Sequence, residues 1–158
     1  MITVGIITVS DRASRGQYED KSGPALRQFA EQQGWSVAGT KIVPDEEALI
    51  GDTTVELATT CALILLTGGT GIAERDVTPE AIRAVATKEL PGFGEVMRAE
   101  SFKRFPNAIL SRSLAAVVGQ SLVICLPGSP KAAVECLSYV AGAIPHAVEL
   151  LHGQTGHA

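Results

Sequence analysis

Six consecutive apolar residues, Cys61-Ala62-Leu63-Ile64-Leu65-Leu66, run directly into Thr67-Gly68-Gly69-Thr70-Gly71. A run this short and this uniformly aliphatic reads as a strand covered on both faces, not one with a wet side. The glycines behind it make a turn in which backbone can approach a ligand without obstruction from Cβ. Similar runs recur at 2–9, 114–118 and 122–126, and the segments between them have helical spacing. Strands alternating with helices predict an α/β protein: a three-layer α/β/α sandwich with a mostly parallel central sheet, in a single domain.

Local signals place the elements. The first strand, 2–9, is followed by a polar loop over 10–16. Ser22 caps a helix with Pro24 in its first turn and Leu26, Phe29 and Ala30 facing inward, and Gly34 stops it. Residues 35–43 form a second strand, closed by Pro44; a helix with Glu46 and Glu47 at its favourable end then runs to about Thr60. Thr78-Pro79 opens a helix that lasts to about Thr87. Pro91-Gly92 breaks the chain before a helix at 94–105, and 107–113 has no clear pattern. The runs 114–118 and 122–126 flank Gly119-Gln120-Ser121 like the arms of a hairpin, and a helix over 131–140 follows. Gly142 and Pro145 interrupt it before the last turns, which end near Gly153. With no linker or repeat, residues 1–153 read as one domain and 154–158 as a frayed tail.

Composition narrows the function. A length of 158 residues suits one domain, and 46% hydrophobic against 19% charged residues excludes a disordered segment. Thirteen basic against 17 acidic residues give a net charge of −4, and without a Lys/Arg run there is no stripe to displace phosphate counterions from nucleic acid. No apolar stretch approaches the roughly 18–20 residues of a membrane span, and the amino terminus has no secretory pattern. Cys61, Cys125 and Cys136 lack C-x-x-C spacing; the first two lie in or beside apolar runs and read as buried reduced thiols. A cytoplasmic protein without membrane or nucleic-acid partners is expected.

In a doubly wound sheet the ligand site lies beyond the carboxyl ends of the strands. The segments there are 10–16, 44–45, 67–76 and 127–130. The glycine-rich turn is not a Walker A loop, since no Lys follows Gly71, and no G-x-G-x-x-G follows the first strand. A plain strand-to-helix connection explains it equally well. Asp76 is by itself a turn former or an ion-pair partner of Arg75, and Asp45 by itself a helix cap. Together at one sheet edge they can hold Mg²⁺ against the phosphates of a nucleotide, since Mg²⁺ takes one or two carboxylates plus phosphate and water oxygens. Asp11 is a third carboxylate at that edge, and Ser10, Thr67, Thr70 and Ser129 supply hydroxyls. His146, His152 and His157 show no metal-binding spacing and read as surface groups.

Six ordered motifs resemble the molybdenum cofactor biosynthesis MogA/MoaB family. They are Val9-Ser10-Asp11-Arg12-Ala13-Ser14, Pro44-Asp45-Glu46, Thr67-Gly68-Gly69-Thr70-Gly71 continued by Arg75-Asp76-Val77-Thr78-Pro79, Pro91-Gly92-Phe93-Gly94-Glu95, Ala108-Ile109-Leu110-Ser111-Arg112, and Leu126-Pro127-Gly128-Ser129-Pro130-Lys131. The first motif, with Gly16, Tyr18, Asp20 and Lys21, is similar to the molybdopterin adenylyltransferase branch and to gephyrin G domains. The resemblance implies AMP transfer from MgATP to the terminal phosphate of molybdopterin, with pyrophosphate released. It also implies a homotrimer, and hand-over of the product to a molybdate-inserting enzyme. Carried over by position, Asp45 and Asp76 match the functional aspartates and Gly68 to Gly71 the phosphate- and pterin-binding loop. Glu95 and Ser129 match residues near nucleotide or pterin. The alternative from another class is a non-catalytic trimeric molybdopterin carrier of the MoaB type.

Overall fold

The computed structural model describes residues 1–154. Its elements are β1 (Thr3–Val9), α1 (Asp11–Ser14), α2 (Ser22–Gln32), β2 (Ser36–Val43), α3 (Glu47–Ala58), β3 (Leu63–Thr67), α4 (Thr78–Val85), β4 (Lys88–Glu89) and α5 (Pro91–Phe102). A 3₁₀ turn at Pro106–Leu110, β5 (Leu114–Val118), β6 (Ser121–Leu126), α6 (Pro130–Val140), a 3₁₀ turn at Ala141–Ala143 and α7 (Ile144–Leu151) complete the chain. The expected tail falls at 154–158, of which 155–158, with His157, lie outside the described residues.

One six-stranded sheet runs in the order β2-β1-β3-β6-β5-β4. β2, β1, β3 and β6 are parallel, whereas β5 pairs antiparallel with both β6 and β4. The expected hairpin is therefore present, turning at Gly119 with a positive φ of 61°. The aliphatic runs are explained by the two-residue period of a strand. On one face Val4, Ile6, Leu63, Leu65, Leu122 and Ile124 pack with residues of α2, α6 and α7. The alternate residues Ile7, Val9, Ile64, Leu66, Val123 and Cys125 pack with α3 and α4 on the other. Apart from Thr3 at the start of β1, each inner strand thus buries all its side chains, which yields the expected α/β/α sandwich.

Several boundaries differ from expectation. Pro91 starts α5 and does not break the chain, because a residue with no N–H costs nothing at a first helical position. Ser22 does not cap α2; its Oγ donates to Gly128 O at 2.6 Å, and Asp20 Oδ1 accepts from Gly23 N at 3.0 Å instead. The polar stretch after β1 is not all loop: it contains the short helix α1, with Ser10 Oγ accepting from Ala13 N. All three cysteines are free and buried. Burial pushes the Cys125 thiol up to about 12.

Pro130–Leu151 is helical almost throughout, with a mean hydropathy of 1.2, and is long and apolar enough by length and composition to cross a membrane. This corrects the expectation that no stretch reaches that length. Its Ala133, Cys136, Leu137, Val140, Ile144 and Val148 pack in the core with the sheet residues.

Candidate active site

From β1 the chain moves outward to β2 on one side and to β3 on the other, so the strand order reverses between β1 and β3. The loops leaving these two strands diverge there, and a crevice opens beyond their carboxyl ends. A cleft of about 350 Å³ occupies this place, lined among others by Ser10, Asp45, Thr67, Gly68, Gly69, Asp76 and Ser129. A second depression of about 460 Å³ shares Gly69, Asp76 and Gly128 with it and continues along Thr70 and Gly71. Below that depression an apolar cavity of about 160 Å³, lined by Met97, Phe105, Ala108 and Cys136, meets it at Asn107, Ser111 and Pro127.

The glycine-rich turn is held by its carbonyls. Gly68 O accepts from Thr78 Oγ1 at 2.9 Å and Gly69 O from Thr78 N at 3.1 Å. Thr70 O accepts from Arg112 N at 2.8 Å and Gly71 O from Arg112 Nε at 2.9 Å. With these acceptors tied inward, the N–H groups of Gly69, Thr70 and Gly71 have no hydrogen-bond partner among the described residues. Unpaired N–H donors in succession form the concavity that binds anions. A Cβ at Gly69 would lie 3.1 Å from Asp45 Oδ1, and one at Gly71 would lie 2.8 Å from Asp76 Oδ2. The turn therefore runs directly against both carboxylates.

Asp45 does not cap α3. Its Oδ2 accepts from Asp11 N at 3.0 Å, while Asp45 N donates to Asp11 Oδ1 at 2.9 Å, a reciprocal pair that locks the ends of β1 and β2 together. Burial, and then the like charges of Asp11 and Asp76, raise the Asp45 pKa against the hydrogen bond from Asp11. Arg75 does not pair with its neighbour Asp76. Its guanidinium reaches Asp11, with Nε 2.9 Å from Oδ2 and Nη2 2.8 Å from Oδ1. This hydrogen-bonded pair holds the Asp11 carboxyl down to about 2. Asp76 Oδ2 accepts from Ala73 N at 2.9 Å. Asp45 and Asp76 each keep one carboxylate oxygen free of hydrogen bonds among the described residues, and such an oxygen could bind a divalent cation.

A pH prediction follows from the Asp11–Arg75 pair. Because the folded pKa of Asp11 lies below 3.8, the pair stabilises the fold above about pH 3.8 and loses that contribution as the pH falls toward 2. Arg75→Ala is expected to return Asp11 toward its ordinary pKa and to move acid unfolding to higher pH. Carboxyl NMR titration of Asp11 checks this, and an unchanged titration midpoint would show that Arg75 is not its partner in solution.

Other expected residues have structural duties as well as a place in the cleft. Ser10 caps α1, and Ser129 caps α6 through Ala132 N at 3.2 Å. Thr67 Oγ1 donates to Pro127 O at 2.7 Å, and Thr70 is buried. Glu95 is not brought to the cleft: it is exposed, in a separate depression with Arg83, Glu89, Arg98 and Arg112. Tyr18, Asp20 and Lys21, which are not among the expected site residues, also line the cleft. Thr8 Oγ1 folds their segment back by donating to Asp20 Oδ2 at 2.8 Å, and the Arg12 guanidinium stands 5.2 Å from the centre of the Tyr18 ring. Their positions in a short polar segment beside a strand end were the available signal.

Fold and site define a class: a doubly wound α/β protein with a carboxylate-edged, backbone-lined cleft at its switch point. Within that class the chain belongs to the family described as the probable molybdopterin binding domain, whose model matches residues 5–146. It is 46% identical to a molybdopterin adenylyltransferase of Helicobacter pylori over 96% of this chain and 89% of that one. It is 42% identical to the Escherichia coli protein of the same name, over 96% and 86%. Among solved structures, a Thermus thermophilus molybdopterin biosynthesis enzyme MoaB superposes with a TM-score of 0.91 at 42% identity, covering 97% of this chain and 98% of that one.

Proposed function

We propose that this chain is a molybdopterin adenylyltransferase, acting in molybdenum cofactor biosynthesis by transferring AMP from ATP to the terminal phosphate of molybdopterin. The observation that supports this most is the convergence of Asp45 and Asp76 on the unpaired N–H groups of Gly69 to Gly71 in one strand-end cleft. Relatives bearing that enzyme name at 42–46% identity supply the reaction.

In the reaction a phosphate oxygen of molybdopterin bonds to the α-phosphorus of ATP, the bond from that phosphorus to the bridging oxygen breaks, and pyrophosphate leaves with its electron pair. The attacking phosphate is ionised at neutral pH, so no general base is required. Such transfers depend on positioning and charge stabilisation. The N–H groups of Gly69 to Gly71 donate to phosphate oxygens, and Lys21, at the edge of the cleft, adds a positive charge. The reciprocal Asp11–Asp45 bonds orient Asp45, and the tie to Ala73 orients Asp76. The apolar cavity below has the chemistry to receive a fused ring.

Mg²⁺ fits the donor set. Both carboxylates are half-buried with one free oxygen each, and Asp45, whose pKa is raised by burial and then by the charges of Asp11 and Asp76, would be relieved by a hard divalent cation. Among the described residues no cluster of three or more His, Cys, Asp or Glu is disposed to hold a metal, so substrate phosphates and water would complete the shell. When bound there, Mg²⁺ would neutralise charge on the reacting phosphates.

The proposal extends to a cytoplasmic homotrimer that hands adenylyl-molybdopterin to a molybdate-inserting enzyme. Exposed Val96, Phe102, Phe105, Ile109 and Leu110 offer apolar surface that subunit contact would cover. A sedimentation mass of one or two chains would remove the trimer from it. Pyrophosphate release is expected to require ATP, molybdopterin and Mg²⁺ together. Tight molybdopterin binding without pyrophosphate release would establish the non-catalytic carrier instead.

A further inference from the structure

Arg112 lies between the 3₁₀ turn at Pro106–Leu110 and β5. All three of its guanidinium nitrogens are engaged. Nε donates to Gly71 O at 2.9 Å, Nη2 donates to Asp76 O at 2.8 Å, and Nη1 pairs with the Glu80 carboxylate. Its own backbone N–H donates to Thr70 O at 2.8 Å. One residue thus grips the end of the glycine-rich turn and the backbone of the aspartate that faces it.

The segment it spans has few other supports. Residues 72–75 are exposed, and their internal bonds run between Ala73 and Asp76. Among the described residues, the other long-range tie of that segment is Arg75 to Asp11. Arg112 itself is anchored firmly. Arg98 Nη1, from α5, donates to Ser113 O at 2.7 Å and to Ser111 O at 3.4 Å, which fixes the residues on either side of it. The Glu80 partner has a buried Oε2 without a hydrogen bond, so its carboxylate depends on Arg112 for compensation.

We propose that Arg112 is a positioning residue for the transfer reaction, a planar fork that sets the spacing between the Gly69–Gly71 donors and the Asp76 carboxylate. This rests on the adenylyl-transfer reading. The fork matters because its nitrogens stand at fixed separation and reach two carbonyls and a carboxylate in three directions. A lysine ammonium supplies the same charge from a single nitrogen and cannot span them. Neutralising Glu80 needs only charge; spacing the two loops needs the fork.

Full-length Arg112→Lys separates the two. Relative to wild type it is expected to lose about 10²-fold in kcat for pyrophosphate release, to change KM less than kcat, and to need more Mg²⁺ for half-maximal rate. Hydrogen exchange of the hydrogen-bonded amides beside the clamp, Ala73, Asp76 and Thr78, should quicken about tenfold while β1, β3 and β6 keep their protection. Wild-type kcat and unchanged exchange in Arg112→Lys would overturn the proposal, and so would a general loss of protection across the sheet. A measurement on the wild-type chain covers the case in which the variant does not fold. The Arg112 Nε–H resonance should exchange with water far more slowly than that of exposed Arg15, and equal rates would overturn the clamp. Should wild type itself release no pyrophosphate, the adenylyl-transfer reading fails and the exchange measurements still decide the clamp.

Discussion

Asp76→Asn is expected to lower kcat for AMP transfer by about 10³-fold, some 4 kcal/mol of transition-state stabilisation, while leaving the fold intact. The substitution isolates charge. Among the described residues the Asp76 side chain makes one hydrogen bond, accepted by Oδ2 from Ala73 N, and an asparagine carbonyl oxygen can accept it equally well. The backbone at this position is held separately, by Asp76 N to Ala73 O at 3.0 Å and by Arg112 to Asp76 O. What disappears is the negative charge beside Asp45, and with it half of the pair able to hold a cation against substrate phosphates. Pyrophosphate release measured across a Mg²⁺ titration, beside a thermal melt, checks both halves. A folded variant with a rate within a few-fold of wild type would remove Asp76 from the reaction.

The fold was legible because its inner strands are buried on both faces. A side chain that must be apolar whichever way it points leaves an unbroken aliphatic run, and 61–66, 114–118 and 122–126 are such runs. What could not be read were elements too short to show a period. β4 is two charged residues placed by pairing with β5, and α1 is a single turn that Ser10 caps. Boundaries slipped where a residue's preference names a structure without naming its start, as at Ser22 and Pro91.

For the site, the strand-end rule located Asp45 and Asp76, since topology alone brings the ends of parallel strands to one edge. The rule does not say whom a side chain faces. Sequence adjacency suggested Arg75 with Asp76, but consecutive residues in an irregular turn point apart, and Arg75 finds Asp11 across 64 positions. The reciprocal Asp11–Asp45 bonds and the Arg112 fork likewise join segments far apart in the chain. Local patterns give no sign of such ties.

Gly68→Ala should be among the most damaging single-atom-group additions to this chain, destabilising it by about 2–5 kcal/mol. Two costs combine. Gly68 has a φ of +103°, outside the regions an L side chain adopts, which costs roughly 1–2 kcal/mol. A Cβ there would also lie 2.3 Å from Val9 O and 3.3 Å from Val9 C, the backbone of β1 itself. Neither side can yield easily. β1 is paired on both edges, and Gly68 is held by its N–H on Leu126 O at 3.1 Å and by Thr78 Oγ1 on its carbonyl at 2.9 Å. Forcing extra volume into such a site costs about 1–3 kcal/mol more. Gly119→Ala separates the two costs: Gly119 also has a positive φ, 61°, but beyond its two chain neighbours no heavy atom of the described residues lies within 4 Å of the position its Cβ would take. Denaturant melts should therefore show Gly119→Ala losing only the backbone part, and Gly68→Ala two or three times as much. Equal losses would mean that the glycine-rich turn is not pressed against the end of β1. The collision is the physical reason that this turn reaches the two carboxylates, because only a residue without a side chain can cross the end of β1 closely enough to bring the Gly69 and Gly71 backbone beside Asp45 and Asp76.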